Sequence, residues 1–232
     1  MKLFDIIFCL CLVPAAALAQ EARPRTCRIL FLEPAPNAPE TLQLFDGRVS
    51  REVELPRMNF SCVYELPAGA LKLYLLPTAP ADPRKIPPAA PVVTVPEALL
   101  DIYLLVSSDP SNAVAPVRMQ VINAGEDKVK RGQMLWFNLT PSAVGGTLGT
   151  ASLAIAPGAR AVLDAPATRG EEYPVALSFR MPGDKQLYPL CETRWRHDPR
   201  GRSLVFIIPE VGRRSPRVMA FSDYREAPAT KP

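Results

Sequence analysis

The sequence predicts an all-β protein in which two tandem β-sandwich modules follow a signal peptide. Apolar side chains recur at every second position, as they do in half-buried strands. Turn-forming residues separate these runs at regular intervals, which is typical of sandwiches and barrels. Helical patterns are nearly absent, and the one helical turn that we expect, at residues 96–100, is too short to form a layer.

The clearest alternation runs from Tyr173 to Met181, where the odd-numbered residues are apolar or aromatic and the even-numbered ones share the other face. Two shorter runs, residues 71–75 and 117–121, alternate in the same way. Residues 102–106 and 204–208 are apolar throughout, and we expect both to be strands that are buried on both faces.

The N-terminus predicts export. Residues 1–19 read as a signal peptide, with Lys2, an apolar run over residues 6–17 and a small-residue pattern that places cleavage after Ala19. The apolar run is shorter than the roughly 20 residues that a membrane-spanning helix needs. An uncleaved anchor stays open as an alternative, since Asp5 partly offsets Lys2. We expect a periplasmic or secreted protein with no stable membrane span after cleavage.

The mature chain is expected to divide into module 1 at residues 27–108, module 2 at residues 114–224 and a disordered tail at residues 225–232. Within module 1, the proline-rich residues 77–96 favour an extended crossover or linker. Two short echoes suggest an internal duplication. Residues 27–29 resemble residues 117–119, and residues 66–70 resemble residues 155–159, at offsets of 90 and 89 positions.

Three cysteines remain after removal of the signal peptide. In an oxidising compartment, Cys27 and Cys62 are candidates for a disulfide that leaves Cys191 unpaired, and three buried, reduced thiols are the alternative. Cys-x-x-Cys spacing is absent and the chain has a single histidine, so we expect neither a metal site nor a cofactor.

A basic segment near the C-terminus supplies the candidate binding residues. If the turns at residues 198–201 and 212–216 lie at the same end of the sandwich, they form one arginine-rich rim suited to anionic groups. Trp195 then offers a flat platform for a sugar. A solvated sheet edge guarded by charge is the alternative. The rim would contain Arg194, Trp195, Arg196, Arg200, Arg202, Arg213, Arg214 and Arg217.

His197, the only histidine, is the starting point for the catalytic alternative. Together with Asp198 and Ser203 it could form a hydrolytic triad. Adjacent residues of a strand point to opposite faces, however, so closeness in sequence is a poor argument for such a triad. We therefore predict no catalytic residues and a protein that is not an enzyme.

Residues 36–47, which end in Asp-Gly, and residues 64–69, which hold a tyrosine and a Pro-Ala-Gly turn, resemble a family of secreted bacterial immunoglobulin-like modules of unknown function. Glu40 and Thr41 stand where that family prefers valine and aspartate. The resemblance implies immunoglobulin-like sandwiches, and the family has no catalytic residues to carry over.

The length, the two sandwich modules, the net charge of +4 and the export signal are also similar to those of periplasmic pilus-assembly chaperones, which complete their clients by strand donation. Residues 134–139 would be the edge strand of such a chaperone. The family's anchoring arginine and lysine have no clear counterparts in this chain, and the proline-rich residues 77–96 depart from its pattern.

Together these features predict an exported, non-catalytic binding or structural protein of the bacterial cell envelope. Its expected partner is a protein or an anionic glycan of the envelope, with a pilus-type chaperone and an extracytoplasmic hydrolase as alternatives. Nucleic acid is not expected as a partner, because the chain is exported and has no RNA-binding signature.

Overall fold

The computed structural model describes residues 24–224, which form sixteen β-strands in four sheets and no helix. The predicted all-β sandwich class is thereby confirmed. The predicted signal peptide and tail lie outside the described residues. The first eight strands are β1 Arg25–Leu32, β2 Thr41–Phe45, β3 Ser50–Glu54, β4 Tyr64–Leu66, β5 Leu71–Leu76, β6 Val92–Val95, β7 Asp101–Ser108 and β8 Val117–Asn123. The last eight are β9 Met134–Asn138, β10 Ala143–Leu148, β11 Ala151–Ile155, β12 Arg160–Leu163, β13 Glu172–Arg180, β14 Tyr188–Arg196, β15 Arg202–Ile208 and β16 Arg217–Asp223.

The strand order repeats itself along the chain. Sheet 1 has the order β4-β1-β7-β8 and sheet 2 the order β3-β2-β5-β6. Sheet 3 has the order β12-β9-β15-β16 and sheet 4 the order β11-β10-β13-β14, so each strand has an equivalent eight strands later. Even the parallel pairs correspond, since β1 pairs with β7 and β9 pairs with β15 in parallel. We call β1–β8 the first half and β9–β16 the second half.

The short sequence echoes do not mark this repetition. Residues 27–29 lie in β1 and residues 117–119 lie in β8, whereas the equivalent of β1 in the strand order is β9. Because β8 pairs with β7, it belongs to the first half. The boundary between the halves therefore follows residue 123 and does not lie at residues 108–114. The proline-rich residues 77–96 contain β6 and join it to its sheet neighbour β5, so they lie inside the first half.

The four sheets stack in the order 2-1-3-4. One apolar core lies between sheets 1 and 2 and another between sheets 3 and 4. A third core joins the halves, because the outer faces of sheets 1 and 3 pack together through residues that include Leu30, Leu105, Phe206 and Phe221. This stacking explains why β7 and β15 lack alternation, since each lies in a sheet that is covered on both faces.

The pattern in β13 follows the sequence prediction. Tyr173, Val175, Leu177 and Phe179 are buried, whereas Pro174 and its even-numbered neighbours lie on the more exposed face. The strand therefore has one face in the core between sheets 3 and 4 and one toward solvent.

The strand Met134–Asn138 is not an edge strand. It lies between β12 and β15 in sheet 3, and all five of its residues are buried. The edge strand that the chaperone alternative requires at residues 134–139 is therefore not present. The continuous apolar pattern reflects burial on both faces, as it does in β7 and β15.

A buried arginine fastens the start of the first half. Arg25 is fully buried, and its guanidinium donates only to main-chain carbonyls in two connections. Nη1 donates to Pro67 and Gly69, at 3.2 and 2.7 Å. Nη2 and Nε donate to the β6–β7 connection, at 2.6–3.1 Å from the carbonyl oxygens of Pro96, Glu97 and Leu99. Arg25 thus ties β1 to both connections.

Tyr173 makes stability sensitive to alkaline pH. Burial raises the pKa of its phenol to about 12, above the value of about 10 expected in the unfolded chain. Between these values the unfolded state has lost a proton that the folded state keeps, so the free energy of unfolding falls as pH rises. The loss should reach about 2 kcal/mol near pH 12.

Tyr173→Phe should remove this contribution. The Tyr173 hydroxyl has one described contact, to Met134 Sδ at 3.9 Å, so the substitution should change stability by less than about 1 kcal/mol at neutral pH. Urea denaturation of both proteins between about pH 8 and about pH 11.5 should show the variant gaining relative stability above about pH 10. A difference that stays constant across this range would contradict the assignment.

Candidate functional site

The predicted arginine-rich rim does not exist as one surface. The turn at residues 198–201 precedes β15 and the turn at residues 212–216 follows it, so the two turns lie at opposite ends of a seven-residue strand. Such a strand is about 20 Å long. Arg200 and Arg202 therefore belong to one end of the second half, and Arg213, Arg214 and Arg217 belong to the other.

The remaining members of the predicted rim lie on β14. Arg194 is exposed and forms an ion pair with Glu172 at 3.4 Å, and Arg196 is exposed at the end of the strand. Trp195 is half-buried and stacks on Trp136, with ring centroids 6.0 Å apart and an interplanar angle of 10°. One face of the indole is thus occupied by the core, which leaves less of it for a sugar.

Arg202 is the member of the predicted set with the most contacts. Its side chain is 5% exposed. Nη1 donates to the carbonyl oxygens of Ala124 and Val129 at 2.6 and 3.1 Å, which fixes the connection between β8 and β9. Nε and Nη2 donate to Asp223 Oδ2 and Asp101 Oδ2, each at 3.1 Å. Arg202 therefore contacts Asp101 in the first half, Asp223 in the second half and the connection that joins the halves.

Asp223 is the buried centre of this cluster. Besides accepting from Arg202, its carboxylate forms an ion pair with Arg28 of β1 and accepts a hydrogen bond from the Tyr103 hydroxyl. Burial, and then the charge of Asp223, raise the pKa of Tyr103 above its usual value, so the phenol remains a donor. Asp101 accepts a further bond from Thr26 Oγ1 at 2.6 Å.

Each buried charge of the cluster is paired with an opposite charge and makes further hydrogen bonds. Arg28 also donates from Nε to the Ser61 carbonyl at 2.8 Å and lies over the Phe60 ring at 5.4 Å. Removing charges from water is costly, and only such dense pairing offsets that cost. The cluster lies beside the apolar core between sheets 1 and 3 and crosses from one half to the other.

A groove of about 680 Å³ opens above this cluster. Thr26, Asp101, Arg202 and Asp223 contribute to its lining, and the contacts between their side chains support that part of the surface. The volume lies in the range of 300–1,000 Å³ that is usual for ligand sites.

The lining of the groove combines apolar and charged side chains. It includes three apolar or aromatic side chains that are about half exposed, Val63 at 49%, Leu100 at 47% and Tyr224 at 54%. Val63 precedes β4, Leu100 precedes β7 and Tyr224 follows β16. The lining also includes the β8–β9 connection, where Glu126 and Arg131 are exposed. The groove can therefore contact apolar and charged groups of a single ligand.

The predicted rim includes Arg200, which lines the groove, and Arg202, which belongs to the cluster beneath it. It does not include Arg28, Asp101 or Asp223. Asp101 interrupts an otherwise apolar run, and a charge at the start of a buried strand is a usable signal for a buried partner. Arg28 and Asp223 are 195 positions apart, and no local pattern connects them.

His197, Asp198 and Ser203 do line one cavity, but its volume of about 40 Å³ has room for only a few water molecules. Arg200 holds the Asp198 carboxylate, with Nε 3.0 Å from Oδ1 and Nη2 2.8 Å from Oδ2. These bonds lower the pKa of Asp198 well below its usual range. Among residues 24–224, no hydrogen bond joins the side chains of Asp198 and His197, so the carboxylate does not orient the imidazole.

The predicted disulfide is not formed. Cys27 lies in the core between sheets 1 and 2, whereas Cys62 is an exposed, free thiol. One side chain points into the sandwich and the other toward solvent, so the two sulfur atoms are not brought together. Burial raises the pKa of the half-buried Cys191 thiol.

Residues 24–224 contain neither a cluster of metal-binding side chains nor a membrane-spanning helix. Within that range, no group of three or more histidine, cysteine, aspartate or glutamate side chains is arranged to hold a metal ion. Across the same residues, no helix has the length and apolar character needed to cross a membrane. In comparisons of the whole chain with known proteins, no family model and no curated protein matches.

Proposed function

We propose that this chain is an exported, non-catalytic binding protein of the bacterial cell envelope, and that the groove between its halves receives an extended segment of a partner protein. The observation that carries the proposal is the groove itself, whose lining combines exposed apolar side chains with exposed charged ones. The predicted signal peptide supports the export part of the proposal, which places the protein in the periplasm or outside the cell.

The lining of the groove favours a peptide over a glycan. Val63 and Leu100 expose aliphatic surface that a sugar chain covers poorly, whereas successive side chains of an extended peptide point to opposite sides. Such a peptide can place apolar side chains on Val63 and Leu100 and charged ones near Glu126 and Arg131.

The cluster beneath the groove also supports binding. Asp101, Asp223, Arg28 and Arg202 satisfy one another, so the cluster stabilises the shape of the groove while the ligand contacts the walls. Preorganised surfaces of this kind lower the entropy lost on binding.

Site-specific photo-crosslinking tests the proposal. A photoreactive residue at position 100 should crosslink to an envelope protein in intact cells, whereas one at position 92 should not. Val92 is a matched control because it is 46% exposed, close to the 47% of Leu100, and does not line the groove. Leu100→Glu should lower recovery of that protein at least about tenfold, equivalent to about 1.4 kcal/mol.

Mass spectrometry of the crosslinked peptide should identify one recurrent segment of the partner. Equal crosslinking from positions 100 and 92, or recovery that Leu100→Glu and Val92→Glu lower equally, would refute a partner seated in the groove. His197→Ala should leave crosslinking at position 100 unchanged.

A further inference from the structure

The end of the second half that lies away from the groove has its own surface. Four connections meet there, and residues 156–159 between β11 and β12 form one of them. The other three are residues 139–142 between β9 and β10, residues 181–187 between β13 and β14, and residues 209–216 between β15 and β16. We call these last three together the three-loop tip. Each of them presents one exposed apolar side chain: Leu139 is 46% exposed, Leu187 is 58% exposed and Val211 is fully exposed, at 102%.

Main-chain pairing brings these connections to the same end. The Leu139 amide donates to the Ile207 carbonyl at 2.8 Å, so the first connection lies beside the end of β15. Arg180 pairs with Ala143, which places the end of β13 next to the same connection. Met181 and Tyr188, at the ends of the second connection, pack on the apolar core that contains Ile207 at the end of β15, so the second and third connections lie at the same end.

The three-loop tip and the strand ends beside it carry more cations than carboxylates, since five basic residues stand against three acidic ones. The basic residues are Arg180, Lys185, Arg213, Arg214 and Arg217, and the acidic ones are Glu33, Asp184 and Glu210. Arg180, Lys185 and Arg214 are exposed, and no carboxylate of residues 24–224 lies within ion-pair distance of them. Two further arginines have partners at long distances. Arg213 lies 3.8 Å from Glu210, and Arg217 lies 3.6 Å from Glu33, with exposed side chains. Such exposed pairs are weak and leave most of the positive potential available to an external anion.

From these features we propose that the three-loop tip docks on an anionic phospholipid surface. Guanidinium and ammonium groups suit lipid phosphates, and the surface potential of an anionic bilayer attracts them. Leu139, Leu187 and Val211 would enter the boundary between headgroups and acyl chains, where buried apolar area adds to the electrostatic attraction. A soluble anion or glycan would use the cations but give the apolar side chains nothing to contact.

This proposal does not depend on a ligand in the groove. The tip follows the end of β15 at Ile208, whereas Arg202 beside the groove begins the same strand. A protein that binds a partner at the groove could therefore be held at a membrane by its other end.

Vesicle flotation of the purified mature chain, residues 20–232, tests the proposal. The protein should float with phosphatidylcholine vesicles that contain about one-third phosphatidylglycerol, and should not float with pure phosphatidylcholine. Raising salt from about 0.1 M to about 1 M shortens the screening length from about 10 Å to about 3 Å and should reduce binding strongly.

Two double variants separate the electrostatic and apolar contributions. Lys185→Glu with Arg214→Glu should reduce binding to anionic vesicles at least about tenfold, and Leu187→Ser with Val211→Ser should reduce it by about fivefold. The matched controls are Arg48→Glu with Lys72→Glu, and Val92→Ser, all at exposed positions of the first half. They should bind as the unmodified chain does. Thermal unfolding of each variant verifies that it is folded.

The outcomes distinguish the alternatives. Binding that the charge variant abolishes but the apolar variant leaves intact would show a site for soluble phosphates or glycans, and would overturn membrane docking. Competition by free glycerol phosphate at concentrations that leave vesicle integrity unchanged would overturn it for the same reason. Equal losses with the first-half control variants, or no flotation with anionic vesicles, would also overturn it.

Discussion

Arg25→Ala should destabilise the protein by about 3–5 kcal/mol, more than almost any other single substitution in the first half. The substitution removes five partly buried hydrogen bonds, and the carbonyl oxygens of two connections lose their donor. A buried acceptor that is left unsatisfied costs about 1–3 kcal/mol, and one that water can reach costs less. The missing side chain also leaves a cavity, since Arg25 is among the largest fully buried residues.

Chemical denaturation of the purified protein checks this expectation. Arg25→Lys keeps the charge but offers three donors in a different geometry, so its loss should be clearly measurable and smaller than that of Arg25→Ala. Arg48→Ala, at an exposed turn position, is the control and should change stability by no more than about 0.5 kcal/mol. A loss at Arg25 no larger than the loss at Arg48 would show that these bonds contribute little.

The local features of the fold could be read from the sequence because strands have a period of two. Alternation identified β13, and continuous apolar runs identified β7 and β15 as strands covered on both faces. Both are properties of a few consecutive residues. The same uniform pattern at Met134–Asn138 belongs to a central strand, and not to the edge strand of the chaperone alternative. Periodicity reports burial and not the number of neighbouring strands.

The candidate site could be predicted only in part because it depends on pairing between distant strands. The sequence places Arg200, Arg202, Arg213 and Arg214 within fifteen positions, which favoured one rim. β15 separates the first two arginines from the last two by its whole length. The number of charges in a segment does not reveal that a strand lies between them. The partners of Arg202 come from β7 and β16, and sequence distance contains no information about that meeting.

The contacts between the halves explain why the groove keeps its shape. Three ion pairs cross the interface: Arg28 with Asp223, Arg202 with Asp101, and Arg217 with Glu33. The first two are largely buried and lie at the groove, whereas the third is exposed and lies toward the three-loop tip. The apolar core between sheets 1 and 3 lies between them. Stability and groove geometry should therefore change together.

The second large effect is expected at Asp223. Asp223→Asn should lower the free energy of unfolding by about 3–5 kcal/mol, because it leaves Arg28 and Arg202 positively charged and partly buried without a counterion between them. The carboxamide at position 223 would also direct its N–H groups toward the hydrogen-bond donors that surround Asp223. The loss of stability therefore includes lost hydrogen bonds as well as lost charge. Crosslinking from position 100 should weaken in the same variant, since Asp223 lines the groove.

A double-mutant cycle separates the buried pair from a general loss of stability. Arg28→Met and Asp223→Asn, alone and together, should give a coupling energy above about 1.5 kcal/mol, because the pair is shielded from water. The matched control is the cycle of Arg194→Met and Glu172→Gln, whose side chains are 63% and 62% exposed, and whose coupling should stay below about 1 kcal/mol. Equal coupling in the two cycles would mean that the buried cluster fills space between the halves without holding them electrostatically. The apolar core between sheets 1 and 3 would then be the main support of the groove.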